Sequence, residues 1–258
     1  FRISSDGSLS TKTLGTSNVR FGVNAGNSIE SGGQYNTFVG DESGTAQTVG
    51  DKNVAVGYGA FKTSTTGFHT VAIGYNAGDA VTTAGQNVFI GHDSGTTATT
   101  GADNTAVGDR SFKLSTTGAN NVALGTVSLE NTTTGASNVA VGWGSLRANT
   151  TASDNVAVGK DAGTAVTTGI QNTLIGSLAG DALTSSNDNT AVGYRALSNA
   201  TTGNENTAIG HTALFTNILS DRNVAVGVDA LSVHNQATSV DSYNTAVGYN
   251  SGAAVTTG

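Results

Sequence analysis

Residues 189–205 read NTAVGYRALSNATTGNE, and variants of this seventeen-residue unit follow one another along almost the whole chain of 258 residues. The clearest marker is a glycine that follows a short apolar stretch fourteen times, from Gly22 to Gly248. Neighbouring markers are 17 residues apart, except for a spacing of 18 after Gly22 and of 21 before Gly248. A fixed period of this kind is typical of a solenoid, in which each repeat stacks on the next.

We number the unit from Asn189, as position 1, to Glu205, as position 17. Position 2 is Val or Thr and position 4 is apolar in every repeat, whereas position 3 is Ala in ten repeats. This alternation predicts a short strand with positions 2 and 4 on the buried face and position 3 pointing outward. The glycine at position 5 predicts a tight turn or a close backbone approach. These structural turn glycines are Gly57, Gly74, Gly91, Gly108, Gly125, Gly142, Gly159, Gly176, Gly193, Gly210 and Gly227.

The unit is too short and too irregular for a helical repeat, which needs a dozen or more residues with a period of 3.6. We therefore expect two short strands and a polar return in each coil. The fold class is all-β, a parallel β-solenoid of fourteen coils with a 17-residue period. We assign residues 18–258 to this repeat domain and residues 1–17 to a lead-in segment or linker. The whole sequence reads as a fragment of a longer chain.

The alanines at position 3 predict an interface. In this interpretation they form a flat outward strip that another backbone could approach closely, and a coil with few large inward side chains gains core by association. A cyclic homotrimer is the simplest arrangement for three such chains that share an axis. The alternative is a plain strip that faces solvent. The predicted interface residues are Ala55, Ala72, Ala106, Ala123, Ala140, Ala157, Ala191, Ala208, Ala225 and Ala246.

The composition excludes several classes of function. The chain has no Cys, so it has no disulfide, thiolate metal site or cysteine nucleophile. A net charge of −7 with only 11 Lys and Arg leaves no footprint for nucleic acid. The apolar runs are too short to insert into a membrane. The four His lie outside metal-ligand spacing, and Ser recurs at repeat positions rather than as one distinct nucleophile. We expect no catalytic residue, no metal and no cofactor, hence no enzyme.

Position 6 carries the most distinctive residues outside the predicted core. It is aromatic or His in seven repeats. One interpretation is a platform for a host-surface glycan or protein, because Tyr and Trp combine an apolar ring with a polar tip. The other is a stacked ladder that packs at the coil edge or at a seam between subunits. The candidate ligand-contact aromatics are Tyr58, Tyr75, Trp143, Tyr194 and Tyr249.

The segment Asn53-Val54-Ala55-Val56-Gly57-Tyr58-Gly59-Ala60 resembles the head repeat of trimeric autotransporter adhesins, and it is similar to repeats in bacteriophage tail fibres. The resemblance extends over about residues 18–258. It implies a left-handed parallel β-roll, a homotrimer and a role in surface attachment. The coil of 17 residues is longer than the typical adhesin head coil, and the extra residues lie in the Thr-Thr-Gly return.

We therefore expect the structural shaft or head of an extracellular trimeric attachment fibre, with a phage tail fibre favoured. Its partners would be two further copies of itself and other fibre or virion modules at both ends, and its location the virion surface. The alternative is the head of a bacterial trimeric adhesin on the cell surface. A remote alternative is an ice-binding solenoid, which needs regular pairs of outward Thr, whereas adjacent Thr on an extended segment point to opposite faces.

Overall fold

A computed structural model describes residues 2–3, 9–10, 15–236 and 241–256. The predicted period is confirmed: the fold is an all-β parallel β-solenoid of about 13 to 14 coils with a period of about 17 residues, and the described residues contain no helix. The chain forms two compact units, residues 1–120 and 121–258, which are described separately. Most of the lead-in segment 1–17 lies outside the described residues.

In the first unit, β1 and β2 pair antiparallel, and β3 to β8 pair in parallel in chain order. The pairing holds every repeat in register, so that Val54 lies beside Val71 and Ala55 beside Ala72. The strands are β1 Arg2–Ile3, β2 Leu9–Ser10, β3 Val19–Phe21, β4 Thr37–Val39, β5 Val54–Val56, β6 Val71–Ile73, β7 Val88–Ile90 and β8 Thr105–Val107.

In the second unit, β9 to β16 pair in parallel in chain order with the same register. The insert of four residues before the last coil leaves this register intact, because Val226 still pairs with Val247. The strands are β9 Val122–Leu124, β10 Val139–Val141, β11 Val156–Val158, β12 Thr173–Ile175, β13 Thr190–Val192, β14 Thr207–Ile209, β15 Val224–Val226 and β16 Thr245–Val247.

Each described coil has one three-residue strand, at positions 2 to 4, so the expectation of two strands per coil is wrong. The rest of the coil is turns. The strand ends at position 5, where Gly57 has φ +128 and a Cβ would lie 2.4 Å from the carbonyl oxygen of Gly74 in the next coil. Both the backbone angle and the close approach require glycine, which confirms the turn prediction.

The assignment of strand faces from the sequence is also wrong. The alanines at position 3 point into the coil, and nine of the ten have no exposed surface while Ala246 is 6% exposed. Positions 2 and 4 point outward instead. An exposed interface strip of Ala55, Ala72, Ala106, Ala123, Ala140, Ala157, Ala191, Ala208, Ala225 and Ala246 is therefore contradicted, because their own chain covers them.

The physical reason lies in the narrow interior of a seventeen-residue coil. The buried positions are 1, 3, 8, 9, 12 and 15, and they share one thin layer. Where position 9 is Phe or Leu, as at Phe61 and Leu129, position 3 is Ala. Where position 9 is Gly, the large side chain comes from position 3, as in Phe89, or from position 12, as in Val166. One large side chain fills most coils, and Ala at position 3 makes room for it.

A ladder of buried asparagines runs through position 1. Asn138 donates through Nδ2 to Oδ1 of Asn121 at 3.1 Å and to the carbonyl of Ala152 at 2.9 Å. Its own Oδ1 accepts the backbone N–H of Asn155 at 3.1 Å. The same contacts recur along the second unit up to Asn223, so these buried amides are paired. The ladder joins each coil to its neighbours from inside.

Candidate functional site: the outer face of the sheet

The outer face consists of the side chains at positions 2 and 4 of every coil. Position 2 alternates irregularly between Val and Thr, and position 4 is Val, Ile, Leu or Phe. These residues point outward because the side chains of a strand alternate and position 3 points inward. They are half-buried or exposed, and Ile73, Leu124, Ile175 and Ile209 each expose between 37% and 39% of their surface.

The outer face is a continuous apolar stripe within each unit. Parallel strands lie about 4.8 Å apart, so the eight strands of the second unit form a stripe about 40 Å long and about 10 Å wide. Its area of about 400 Å² equals the largest apolar patch that a typical soluble monomer exposes. Every strand contributes the same two branched side chains, so the face is flat and regular. Such a face is suited to contact with a second flat surface.

The candidate ligand-contact aromatics at position 6 border the outer face, beyond the turn glycine. Tyr58, Tyr75, Trp143, Tyr194 and Tyr249 are all exposed. Tyr58 stacks on Tyr75 with ring centroids 5.4 Å apart, and Tyr75 stacks on His92 at 5.3 Å. In this stack the rings cover one another and present edges and hydroxyls to solvent.

The remaining candidate aromatics have cations against their rings. Nζ of Lys160 lies 5.5 Å from the ring centre of Trp143, and the guanidinium of Arg195 lies 5.8 Å from that of Tyr194. Tyr194 also lies beside His211 at 5.3 Å. A sugar that stacked on these faces would have to displace a neighbouring side chain. The geometry favours the ladder interpretation, and the assignment of ligand contacts stays a prediction.

Polar groups near this row form ion pairs within the chain. Glu42 lies 2.5 Å from Lys62, and the hydrogen bond between them raises the pKa of the Lys62 ammonium. Partial burial raises the pKa of the neighbouring Asp79 carboxyl. Asp93 contacts Lys113 at 2.9 Å, and Asp109 contacts Nδ1 of His92 at 3.1 Å. In the part of the chain that the structure describes, no three His, Asp or Glu side chains group closely enough to hold a metal ion.

The two threonines of each Thr-Thr pair occupy different environments. At position 13 the hydroxyl donates to a carbonyl of the next coil, as from Thr82 to Thr99 at 3.1 Å and from Thr150 to Thr167 at 3.0 Å. At position 14 the threonines are exposed in one row per unit. The first row contains Thr66, Thr83, Thr100 and Thr117, and the second contains Thr134, Thr151 and Thr168. The chain thus presents single rows of free Thr rather than the paired rows expected of an ice-binding surface.

Sequence reasoning missed two features of this region. The alternation of Val, Ala and Val was assigned to the wrong faces, so the outer face itself was not predicted. The charges at position 17 and at positions 6 and 7, which flank the outer face, were not compared coil by coil. The signal for the second feature was present in the sequence, because the repeat aligns those positions without any structure.

No helix among the described residues is long and apolar enough to cross a membrane. Comparison of the chain with protein-family models, with curated proteins and with solved structures found no match.

Proposed function

We propose that the chain is a non-enzymatic structural module, the shaft or head of an extracellular attachment fibre that three subunits build together through their outer faces. Among such fibres we favour a phage tail fibre on the virion surface. The observation that carries the proposal is the apolar outer face, which repeats on every strand from β3 to β16. The trimer interface predicted for the position 3 alanines is thereby transferred to positions 2 and 4.

The energy of the outer face supports association. Burial of about 400 Å² of apolar surface in the second unit contributes about 10 kcal/mol per chain at about 25 cal/mol per Å². The first unit, with six strands, adds about three quarters of that amount. Association costs about 4 to 15 kcal/mol in lost translational and rotational freedom, so the apolar stripes are large enough to offset it. Three subunits around an axis parallel to the stack would cover the outer face of each.

The remainder of the surface suits an exposed shaft. Charged residues make up only 11% of the chain, and the returns are rich in Thr, Ser and Asn. The coils are held together by backbone pairing, by the asparagine ladder and by Thr hydroxyls, with no contribution from disulfides. A module of this kind acts mechanically, by setting the distance between an anchor and a recognition tip. Its other partners would be fibre or virion modules at both ends.

The outer face can be tested by substitution. Val158→Glu and Ile175→Glu place charges on it, and we expect both variants to run as single chains in light scattering after size exclusion. Thr168→Glu is the matched control, because it adds the same charge to the exposed threonine row. We expect the control to remain associated, and all three variants to keep the β circular dichroism of the parent. Association that survives both face variants would overturn the proposal.

A bacterial surface adhesin is the alternative with the same architecture. The gene product from which the chain derives discriminates between the two. A secretion signal before residue 1 and a membrane anchor after residue 258 would indicate an adhesin. Neighbouring virion genes would indicate a phage fibre.

A further inference from the structure

Two corners flank the outer face in every coil. The first corner is position 17, just before the strand, and the second corner is formed by positions 6 and 7, just after the turn glycine. In the coil of β13 the first corner is Asp188, with φ 59, and the second contains Arg195, with φ 56. These left-handed residues turn the chain away from the strand, so their side chains border the outer face. Both side chains are exposed.

In the second unit the charges of the two corners match coil by coil. The four charged coils pair Asp154 with Lys160 at β11, Asp188 with Arg195 at β13, Glu205 with His211 at β14, and Arg222 with Asp229 at β15. At β15 the sign is reversed at both corners. The three uncharged coils pair Ser137 with Trp143 at β10, Gln171 with Ser177 at β12, and Tyr243 with Tyr249 at β16.

A single chain does not explain this match. The strand and its flanking residues separate the two corners of a coil by about 16 Å, at about 3.3 Å per residue. Charges that far apart at the surface are largely screened at physiological salt, where the Debye length is about 8 Å. Within the described residues, neither Asp154 nor Asp188 forms a salt bridge. Arg195 contacts only rings, those of Tyr194 and Phe215.

Contacts within the chain engage some of the other corner charges. Lys160 lies 3.2 Å from Asp161, and Arg222 lies 3.0 Å from Glu205. The first unit lacks the match, since Lys52 stands opposite Tyr58 there and Gln86 opposite His92. The coils of β11 and β13 therefore carry the argument, because each presents an acidic first corner that is unpaired within its chain.

The symmetry of association decides which corners meet. When subunits pack around an axis parallel to the stack, the first corner of one subunit meets the second corner of its neighbour at the same coil. When two subunits pack antiparallel, like corners meet and the coil order is reversed. Opposite charges at the two corners of one coil therefore favour the parallel arrangement, in register.

We propose that the outer face of the second unit is covered by another subunit in parallel register, and that ion pairs between Asp188 and Arg195 and between Asp154 and Lys160 of neighbouring subunits set that register. This inference rests on the proposed association through the outer face. It adds the orientation and the residues that select it. The apolar rows at positions 2 and 4 repeat almost identically in every coil, so they cannot distinguish one register from another.

Cross-linking tests the arrangement without disturbing the charged corners. The chain has no Cys, so single cysteines can be placed at will. Gln171→Cys and Ser177→Cys lie at the two corners of the uncharged β12 coil. We expect a short bis-maleimide to link the two variants when they are unfolded, mixed and refolded together, and to leave each variant alone unlinked. The control is Gln171→Cys mixed with Thr126→Cys, which pairs a first corner with the second corner of a coil three repeats away.

The outcomes separate this inference from the proposed function. Linked products from Gln171→Cys alone would mean that like corners meet, and would overturn the parallel arrangement. Linking in the control as strong as in the matched mixture would overturn the register. If the parent chain sediments as a trimer but the matched mixture stays unlinked, the inference fails and the fibre proposal stands. If the parent chain is a single chain in solution, the fibre proposal itself fails.

Discussion

A Cβ atom placed on Gly95 would lie 2.4 Å from Cδ1 of Phe89, so these two residues of one coil fill the same space. In the next coil the arrangement is exchanged, with Ala106 at position 3 and Phe112 at position 9, both fully buried. The backbone does not prevent the exchange, because φ is 60 at Gly95 and 54 at Phe112. The two solutions at position 9 are therefore two ways to fill one narrow core.

Exchange of the two side chains should be tolerated where each single change is not. Phe89→Ala leaves a cavity and should cost about 3 to 5 kcal/mol of unfolding free energy. Gly95→Phe overfills the core and should cost about 1 to 3 kcal/mol. The double variant rebuilds the core of the next coil and should lie within about 1 kcal/mol of the parent. Urea unfolding followed by circular dichroism measures all three, and additive effects would contradict the shared-space account.

The sequence predicted the fold because the repeat carries the signal fourteen times over. The turn glycines were predicted correctly, since a fixed glycine after an apolar stretch has few physical explanations. The faces of the strand were not. Period two shows that positions 2 and 4 share a face, but it does not say which face is inside. The larger residues were assigned to the interior, whereas the interior of this coil accepts one large side chain and needs Ala beside it.

The candidate site could be predicted only in part. The aromatic row at position 6 was identified from the sequence, but the stacking of Tyr58 on Tyr75 depends on the distance between coils. The single large core residue per coil could have been found by comparing positions 3, 9 and 12 in each repeat. That comparison pairs Gly95 with Phe89 and Gly180 with Leu174, and it would have placed position 3 inside.

The asparagine ladder has one interruption, at Thr70. The backbone N–H of Thr70 still donates to Oδ1 of Asn53, but threonine has no amide group to pass the contact onward. Thr70→Asn should restore the ladder and raise the unfolding free energy by about 1 kcal/mol. Hydrogen exchange at the amides of residues 70 to 88 should slow accordingly. Unchanged or faster exchange would show that the ladder does not stabilise the stack.

Removal of a ladder residue should have a larger effect in the opposite direction. Asn138→Ala leaves the N–H of Asn155 and the carbonyl of Ala152 without their present partner inside the core. Each such group costs about 1 to 3 kcal/mol when unpaired, so we expect a loss of about 2 to 5 kcal/mol. Asn199→Ala, at an exposed position, is the control and should change stability by less than about 0.5 kcal/mol. Similar losses for the two variants would refute a specific role for the ladder.

Reversal of the corner charges should weaken association in a way that a second reversal repairs. Asp188→Arg and Arg195→Asp each place like charges together between subunits, and each should raise the dissociation constant by about tenfold or more at low salt. The double variant should recover most of the loss. Gln171→Arg is the control, because its expected neighbour Ser177 is uncharged. Sites that are about 16 Å apart in one chain normally act additively, so additivity would contradict contact between subunits.

The last coil should respond to pH through His234. This side chain is buried, its Nε2 lies 3.4 Å from Nδ2 of Asn244, and burial lowers its pKa below the ordinary value. The unfolded chain therefore binds the proton more readily than the folded one. The stability of this coil should be complete above about pH 6.5 and should fall as the pH decreases toward the lowered pKa.

Hydrogen exchange of the Leu231 and His234 amides between pH 7.5 and 5 checks this prediction, after correction for the intrinsic exchange rate. Protection should decrease toward pH 5 in the parent chain. His234→Gln has no group that titrates in this range, so its protection should stay constant. A parent chain whose protection does not depend on pH would show that His234 is not titrated with the opening of the last coil.

The most direct test of the central claim is the mass of the parent chain in solution, measured by sedimentation equilibrium at several concentrations. Association of three subunits through the outer face predicts a mass three times the chain mass of 25.6 kDa. The value should persist at high salt, because apolar burial supplies most of the binding energy. A mass of 25.6 kDa at every concentration would leave the solenoid intact and contradict the trimeric fibre.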